Sequence, residues 1–382
     1  MLYFDHCAST PPYDDVVQTM MEVMKSQYAN PSSLHRAGTD ADKLIERSRA
    51  LLAERLQTKR GKWIFTSGGT ESNNLAIKGA ARLYAGRGKH LITTQIEHAS
   101  VYESFAQLEQ EGFRVTYLPV SESGHVRLEQ VEEALTEETI LVSVMHINNE
   151  IGSMQPIEAI GRMLKRYPKT LFHVDAVQSI GKQPIHIEDW GIDLLSGSAH
   201  KLRGPKGVGF LYVRDGLTLQ PMLSGGSQEY GSRPGTQNVP GIVASPKALR
   251  MSLESMEQRE KRMKLLKQKL IRLIGELPEL KLNGGEPSAS HIVHFSYPGM
   301  KPEVIIHMLE QHDIMASTKS ACSSKDDKPS RVLLAIGASR EQATGGVRIS
   351  FGDEHEERDI DALGKALRAV VLQLKPLERR LT

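Results

Sequence analysis

The feature that most limits what this chain can fold into is a regular alternation between Lys62 and Val213. The apolar, β-rich runs "KWIFTSGG", "KHLITTQ", "FRVTYLPV", "TILVSVMHINNE", "TLFHVDA", "DLLSGSAHK" and "VGFLYV" are separated, in the earlier part, by helix-like stretches such as "TESNNLAIKGAARLY" and "LEQVEEALTEE". Strands of nearly continuous apolar character, spaced by helical patterns, predict an α/β domain whose mostly parallel sheet is covered by helices on both faces. Sites on such sheets gather at the carboxyl ends of the strands. The runs end in "SGGT", "QIEH", "NNE", "DAVQ" and "SAHK", so polar groups from distant parts of the chain are expected to meet on one rim.

The rest of the chain reads differently. From Ala248 to Leu277 the apolar residues recur at threes, fours and one seven among Lys, Arg and Glu, which predicts one long amphipathic helix. "NGGEPSAS" breaks that pattern, and "HIVHFSY", "EVIIHMLEQH", "GVRISFG" and "IDALGKALRAVVLQL" then suggest a smaller α+β unit.

Charge and composition exclude several classes. Lys+Arg 48 against Asp+Glu 46 leaves +2, dispersed along the chain, without the basic footprint of a nucleic-acid binder. The start "MLYFDHCASTPPYDD" carries acid and proline where a signal peptide needs a cationic end and an apolar run, and no stretch approaches membrane-spanning length. A cytoplasmic protein is expected. Two cysteines, Cys7 and Cys322, make no disulfide framework and suit a reducing compartment.

The chemistry is concentrated at the run ends. Lys201 follows His200 in "DLLSGSAHKLRGPKG", among serines, glycines and alanine. Alone it reads as a solvated loop lysine. Gly68, Gly69 and Thr70, between a strand and a helix, make either an anion seat of free backbone N–H groups or a plain glycine turn with Thr70 as a cap. Neither the Walker nor the dinucleotide glycine spacing occurs there, so a phosphate is expected but no nucleotide. Asp175 closes an apolar strand, with Gln178 one turn on, and His98 ends "QIEH". Each has an ordinary reading as a cap or a satisfied core residue. Together, a carboxylate, an amine able to form an imine and an anion seat are what pyridoxal phosphate (PLP) demands, and no metal ligand set is expected.

These residues carry a resemblance that runs nearly the whole length, from "YFDHCASTPP" through "NPSSLHRAG", "FTSGGTESNN", "EHAS", "NNEIGSMQPI", "HVDAVQSIGK", "SGSAHKLRGPKGVGFLYVR", "SRPGTQNVPGIV" and "SACSS" to "VRISFG". The chain resembles the cysteine desulfurases of the NifS/IscS group, within the class V aminotransferase-like, fold type I PLP enzymes. The resemblance implies a large PLP-binding domain over 16–250, a small domain over 251–382 and an N-terminal segment, 1–15, associated with the small domain. It makes Lys201 the imine-forming lysine, Asp175 the partner of the pyridine nitrogen and Gln178 a neighbour of the phenolic oxygen. Gly69, Thr70, Ser198 and His200 would hold the phosphate, joined by Thr236 from the second subunit of a homodimer. His98 would stack on the ring and move protons, while Asn149 and Arg348 would hold the substrate carboxylate. The family often has alanine where this chain has Gly69, a change expected only to loosen the turn.

Cys322 separates this group from its relatives. It lies in the polar stretch "STKSACSSKDDKPS", with Lys319, Lys325 and Lys328 favouring a thiolate and Asp326 and Asp327 partly cancelling that field. A loop over about 317–330 would carry it to the substrate. The resemblance implies conversion of L-cysteine to L-alanine, a persulfide on Cys322 and sulfur transfer to an acceptor protein serving iron–sulfur clusters, tRNA thiolation or a thio-cofactor. The charged arm, where relatives often carry a less charged sequence, points to a different or narrower set of acceptors. A selenocysteine lyase or aminotransferase on the same fold is the alternative, and would not need Cys322. Cys7 reads as a small buried hydrophobe.

Overall fold

The structure is a computed structural model that describes residues 1–318 and 328–378. Its main sheet has seven strands in the order β2-β8-β7-β6-β5-β3-β4. In chain order these are β2 (Lys62–Thr66), β3 (His90–Thr94), β4 (Arg114–Leu118), β5 (Thr139–Ser143), β6 (Leu171–Asp175), β7 (Leu194–Ser198) and β8 (Gly209–Val213). Neighbours pair in parallel except at β8, which is antiparallel to both β2 and β7. The expected α/β architecture and all seven expected strands are present.

Successive strand residues point to opposite faces, so a covered sheet needs apolar side chains in both registers. Trp63, Phe65, Ile92, Val142, Phe172, Val174, Leu195 and Phe210 join one buried cluster with Ile45 and Leu52 of helix Arg36–Arg55 and Ile160 of helix Ile157–Leu164. The alternate residues Ile64, Leu91, Leu141, Leu171, Leu194 and Leu211 join another with Leu75 and Ile77 of helix Gly69–Leu83 and Phe105 of helix Ala99–Gln110. Some polar residues within the strands are paired across them. His173 bonds to Ser143 Oγ at 2.8 Å on β5 and to Ser196 Oγ at 3.0 Å on β7, and burial draws its pKa down to about 3.

The chain ends meet in a smaller assembly. β9 (Lys281–Leu282), β10 (Ile292–Ser296) and β12 (Gly346–Ser350) form an antiparallel sheet in the order β12-β10-β9. β1 (Leu2–Tyr3) pairs in parallel with β11 (Ile314–Met315), and Asp5 bridges to Ser350. Phe4, Leu266, Leu270, Phe295, Ile349 and Leu367 share its core. The first ten residues are thereby anchored beside β12 and pass under the rim of the large sheet.

The single helix expected over 248–277 is instead two, Val239–Glu254 and Met256–Gly275, meeting at Ser255. Ser255 Oγ donates back to the Met251 carbonyl at 3.0 Å and accepts from Arg259, a pattern that bends a helix without ending its apolar stripe. Among the described residues no helix is long and apolar enough to cross a membrane.

Candidate active site

The carboxyl ends of β2, β6 and β7, with the segments following β3 and β5, surround one cavity of about 690 Å³ including its open mouth. Gly69, Thr70, His98, Asn149, Asp175, Gln178, Ser198, His200, Lys201 and Arg348 all line it. Thr236 does not; it is exposed on the loop before helix Val239–Glu254. Cys322 lies outside the described residues.

Lys201 sits in the short turn Ala199–Lys201 that follows β7. Its Nζ donates to the Ala8 carbonyl at 2.7 Å and to the Cys7 carbonyl. The N-terminal segment therefore supplies the polar contacts that Lys201's own small neighbours cannot. Thr10 ties the same segment down by donating its hydroxyl to the His200 carbonyl at 2.6 Å. Burial draws the His200 pKa down to about 4, helped by Lys201, Lys206 and Lys182, so its imidazole is neutral near pH 7.

Asp175 is 4% exposed. Its Oδ1 accepts the Val177 N–H at 3.0 Å and its Oδ2 accepts from Asn73 Nδ2 at 2.7 Å. The other Asn73 N–H goes to Ser100 Oγ at 2.9 Å, and Ser100 bonds to His98 Nδ1 at 2.8 Å. Because His98 Nδ1 also accepts the Ser100 backbone N–H at 3.1 Å, the proton of the neutral ring belongs on Nε2. Burial lowers the His98 pKa; Lys201, Arg331 and Arg348 reinforce this and Asp175 opposes it. His98 thus caps helix Ala99–Gln110 and also lines the cavity.

The glycine turn also differs in detail. Helix Gly69–Leu83 begins at Gly69 with Gly68 as its cap, which puts Thr70 inside the first turn and rules it out as the capping residue. The first N–H groups of a helix lack intrahelical partners and favour an anion. A Cβ at Gly69 would meet Val177 Cγ2 at 2.7 Å, so glycine here does more than loosen the turn: the Val177 methyl fills the space that an alanine needs.

Arg348 reaches the cavity from β12 and is 1% exposed. Its Nη1 donates to the Asn149 carbonyl and its Nη2 to Asp5 Oδ1, each at 2.8 Å. Its Nε has no partner among the described residues. Two contacts hold the guanidinium while its remaining donors are left for an anion. Cys7 is buried among Ile147, Ala289 and Ile292, as a small hydrophobe should be, and also lines the cavity.

The groups suit PLP on their own chemistry. Ser198 Oγ is buried and without a hydrogen-bond partner among the described residues, a state that costs about 1–3 kcal/mol unless a ligand answers it. It shares the cavity with a helix N-terminus, a buried carboxylate and a lysine amine. His6, Glu354 and His355 bring metal-ligand types together elsewhere in the chain, and His355 Nε2 has no hydrogen-bond partner among the described residues. His6 pairs with Glu354 at 2.6 Å, and His355 Nδ1 accepts the Gly352 N–H at 2.8 Å.

Fold and site together define a fold type I enzyme, the class in which a lysine and an aspartate at strand ends serve PLP. The chain belongs to the aminotransferase class V family, whose model matches residues 2–363, and within it to the cysteine desulfurases of the NifS/IscS group. It is 41% identical to cysteine desulfurase IscS of Clostridium botulinum, over 98% of this chain and 96% of that one. It is 40% identical to the putative cysteine desulfurase IscS 1 of Bacillus subtilis, over 98% and 99%. A solved NifS-like protein superimposes with a TM-score of 0.90 at 37% identity, covering 98% of this chain and 99% of the other. The family is PLP-dependent, and cysteine desulfurase activity implies a cysteine substrate and a sulfur acceptor.

Proposed function

We propose that the cavity binds PLP through Lys201, Asp175, Gln178 and the anion seat of Gly69, Thr70, Ser198 and His200, and that it desulfurates L-cysteine with Cys322 as the sulfur-accepting thiol. The observation that carries this reading is the convergence of the Lys201 amine, the Asp175 carboxylate and the Ser198 hydroxyl, unpartnered among the described residues, on one cavity. When bound, PLP supplies the electron sink that makes the substrate's α-proton removable.

The protein's own residues do the rest. Asp175, its two oxygens held by Asn73 and Val177, would take the pyridine nitrogen. The Arg348 guanidinium and Asn149 take the substrate carboxylate, with Asp5 preventing the guanidinium from swinging away. Lys201 Nζ would hold the cofactor and is the amine placed in the cavity to remove and return the substrate's α-proton. His98 offers the N–H that its Ser100 contacts keep on Nε2 as a hydrogen-bond donor to the bound groups. The Cys322 thiolate attacks the substrate sulfur: an S–S bond forms, the Cβ–S bond breaks and, after protonation, L-alanine leaves.

The same reading extends to a homodimer in which Thr236 serves the partner's site, and to a cytoplasmic setting that keeps both cysteines reduced. It also divides the chain into a large PLP-binding domain, 16–250, and a small domain, 251–382, that carries segment 1–15. The direct test compares Cys322→Ala with wild type on labelled L-cysteine. The variant is expected to retain the visible absorbance of bound PLP while forming no protein-bound sulfane sulfur; persulfide at the wild-type rate would contradict the assignment.

A further inference from the structure

We propose that Lys182 is a positioning residue of this site: its buried amine sets the orientation of the Gln178 amide and thereby keeps a Gln178 N–H available for the phenolic oxygen of PLP. The proposal rests on the reading of the cavity just given.

Lys182 lies four residues beyond Gln178, in the turns that follow β6. Its Nζ is 3.1 Å from Gln178 Oε1 and 3.4 Å from His291 Nε2. A lysine ammonium offers donors only, so the end of the amide that faces it is the oxygen. The opposite end, Nε2, donates to the Cys7 carbonyl at 3.0 Å. Two contacts of opposite polarity therefore define the orientation, and neither survives if the amide turns over. One of the two Gln178 N–H groups is used on Cys7, and Gln178 lines the main cavity, so the other is left for a ligand there.

Lys182 itself does not line that cavity. It lines a smaller one behind it, whose wall it shares with Lys201, Arg259 and His291. Its amine is thus close enough to hold Gln178 but is set back from the reacting groups. Burial lowers its pKa to about 8, with Arg259 and Arg348 adding to the shift and Cys7 and Asp353 opposing it. Charged or neutral, the amine keeps an N–H for Gln178 Oε1. His291 is held well below its usual pKa, first by burial and then by Lys182, and so accepts from Lys182 rather than competing with it.

A donor at the phenolic oxygen draws off that oxygen's negative charge and makes the nearby nitrogen of the Lys201 linkage easier to deprotonate. Losing the donor moves the pH at which the visible band changes upward. The experiment titrates that band in PLP-loaded wild type, Lys182→Met, Gln178→Leu and the double variant, with bound PLP measured separately by release. Expected are near-full PLP in Lys182→Met, an upward shift of about half to one pH unit in each single variant, and no larger shift in the double than in Gln178→Leu. Lys182→Gln, which keeps an N–H donor on a side chain one bond shorter, is expected to restore part of the wild-type titration, and guards against a Met variant that folds poorly. A wild-type titration in Lys182→Met, or shifts that simply add in the double variant, would overturn the proposal while leaving PLP binding intact. A wild-type protein that takes up no PLP would remove the underlying reading and this proposal with it.

Discussion

Two parts of the molecule line the cavity, and they do so by different means. The rim of the seven-stranded sheet contributes side chains fixed within a few residues of a strand end: Asp175 closes β6, Ser198 closes β7 and Lys201 follows three residues later. The opposite wall is built from the chain termini. Asp5 from the N-terminal segment and Arg348 from β12 meet across 343 residues of sequence, and the carbonyls of Cys7 and Ala8 receive Lys201 across more than 190. One wall is local and stiff and carries the groups suited to the cofactor. The other is assembled by tertiary pairing and carries Arg348, the charged group suited to the substrate carboxylate. The difference teaches that substrate affinity and cofactor retention should respond to separate sets of substitutions.

Arg348→Lys is the strongest test of that separation. Lysine cannot hold Asp5, the Asn149 carbonyl and a substrate carboxylate in one planar fork. Losing one charge-assisted bond is expected to raise KM for L-cysteine about 10- to 100-fold, with the visible spectrum of bound PLP unchanged. Steady-state kinetics beside a spectrum checks both halves; loss of PLP with KM unchanged would merge the two walls.

Gly69→Ala probes the other wall. The added methyl meets Val177 Cγ2 at 2.7 Å. Overpacking of this kind costs about 1–3 kcal/mol. The expected result is a lower urea midpoint and weaker PLP retention, with KM for cysteine little changed, and Val177→Ala in the same chain should restore both. Failure of that rescue would mean that Val177 is not the obstacle.

Glu97 gives a pH-dependent effect on stability alone. Burial raises its pKa to about 8, with Asp175 adding to the shift and bonds from Met145, Thr94 and the Arg331 charge opposing it. Its folded pKa lies above the unfolded value, so the native state holds a proton that the unfolded chain releases. Stability should therefore fall as pH rises between about 4.5 and 8, by roughly 1 kcal/mol per pH unit at most. Urea unfolding across that range should show the slope in wild type and a shallower one in Glu97→Gln; equal slopes would place the titration elsewhere.

How much of this was legible in the sequence follows the same division. Each strand of the seven-stranded sheet was readable as an apolar run, and Asp175, Lys201, His98 and the Gly69 turn were readable because a polar group directly after a buried strand has few other places to go. Asp5, Asn73, Ser100 and Lys182 gave no comparable signal. Their roles depend on partners up to hundreds of residues away, as with Asp5 and Arg348, or on which end of an amide faces which neighbour, as with Lys182 and Gln178. The break at Ser255 was hidden because a bend caused by a serine hydroxyl leaves the apolar periodicity untouched. Val177 is a similar case: nothing in "DAVQ" says that its methyl occupies the space beside Gly69.

The central claim is that Lys201, and no other amine, joins the cofactor. Borohydride reduction of the PLP-loaded protein, followed by peptide mass mapping, tests it directly. The account predicts one phosphopyridoxyl group per chain, on the peptide containing Lys201, and none on Lys182. A label on Lys182 or a surface lysine, or no label on a chain that has taken up PLP, would contradict it.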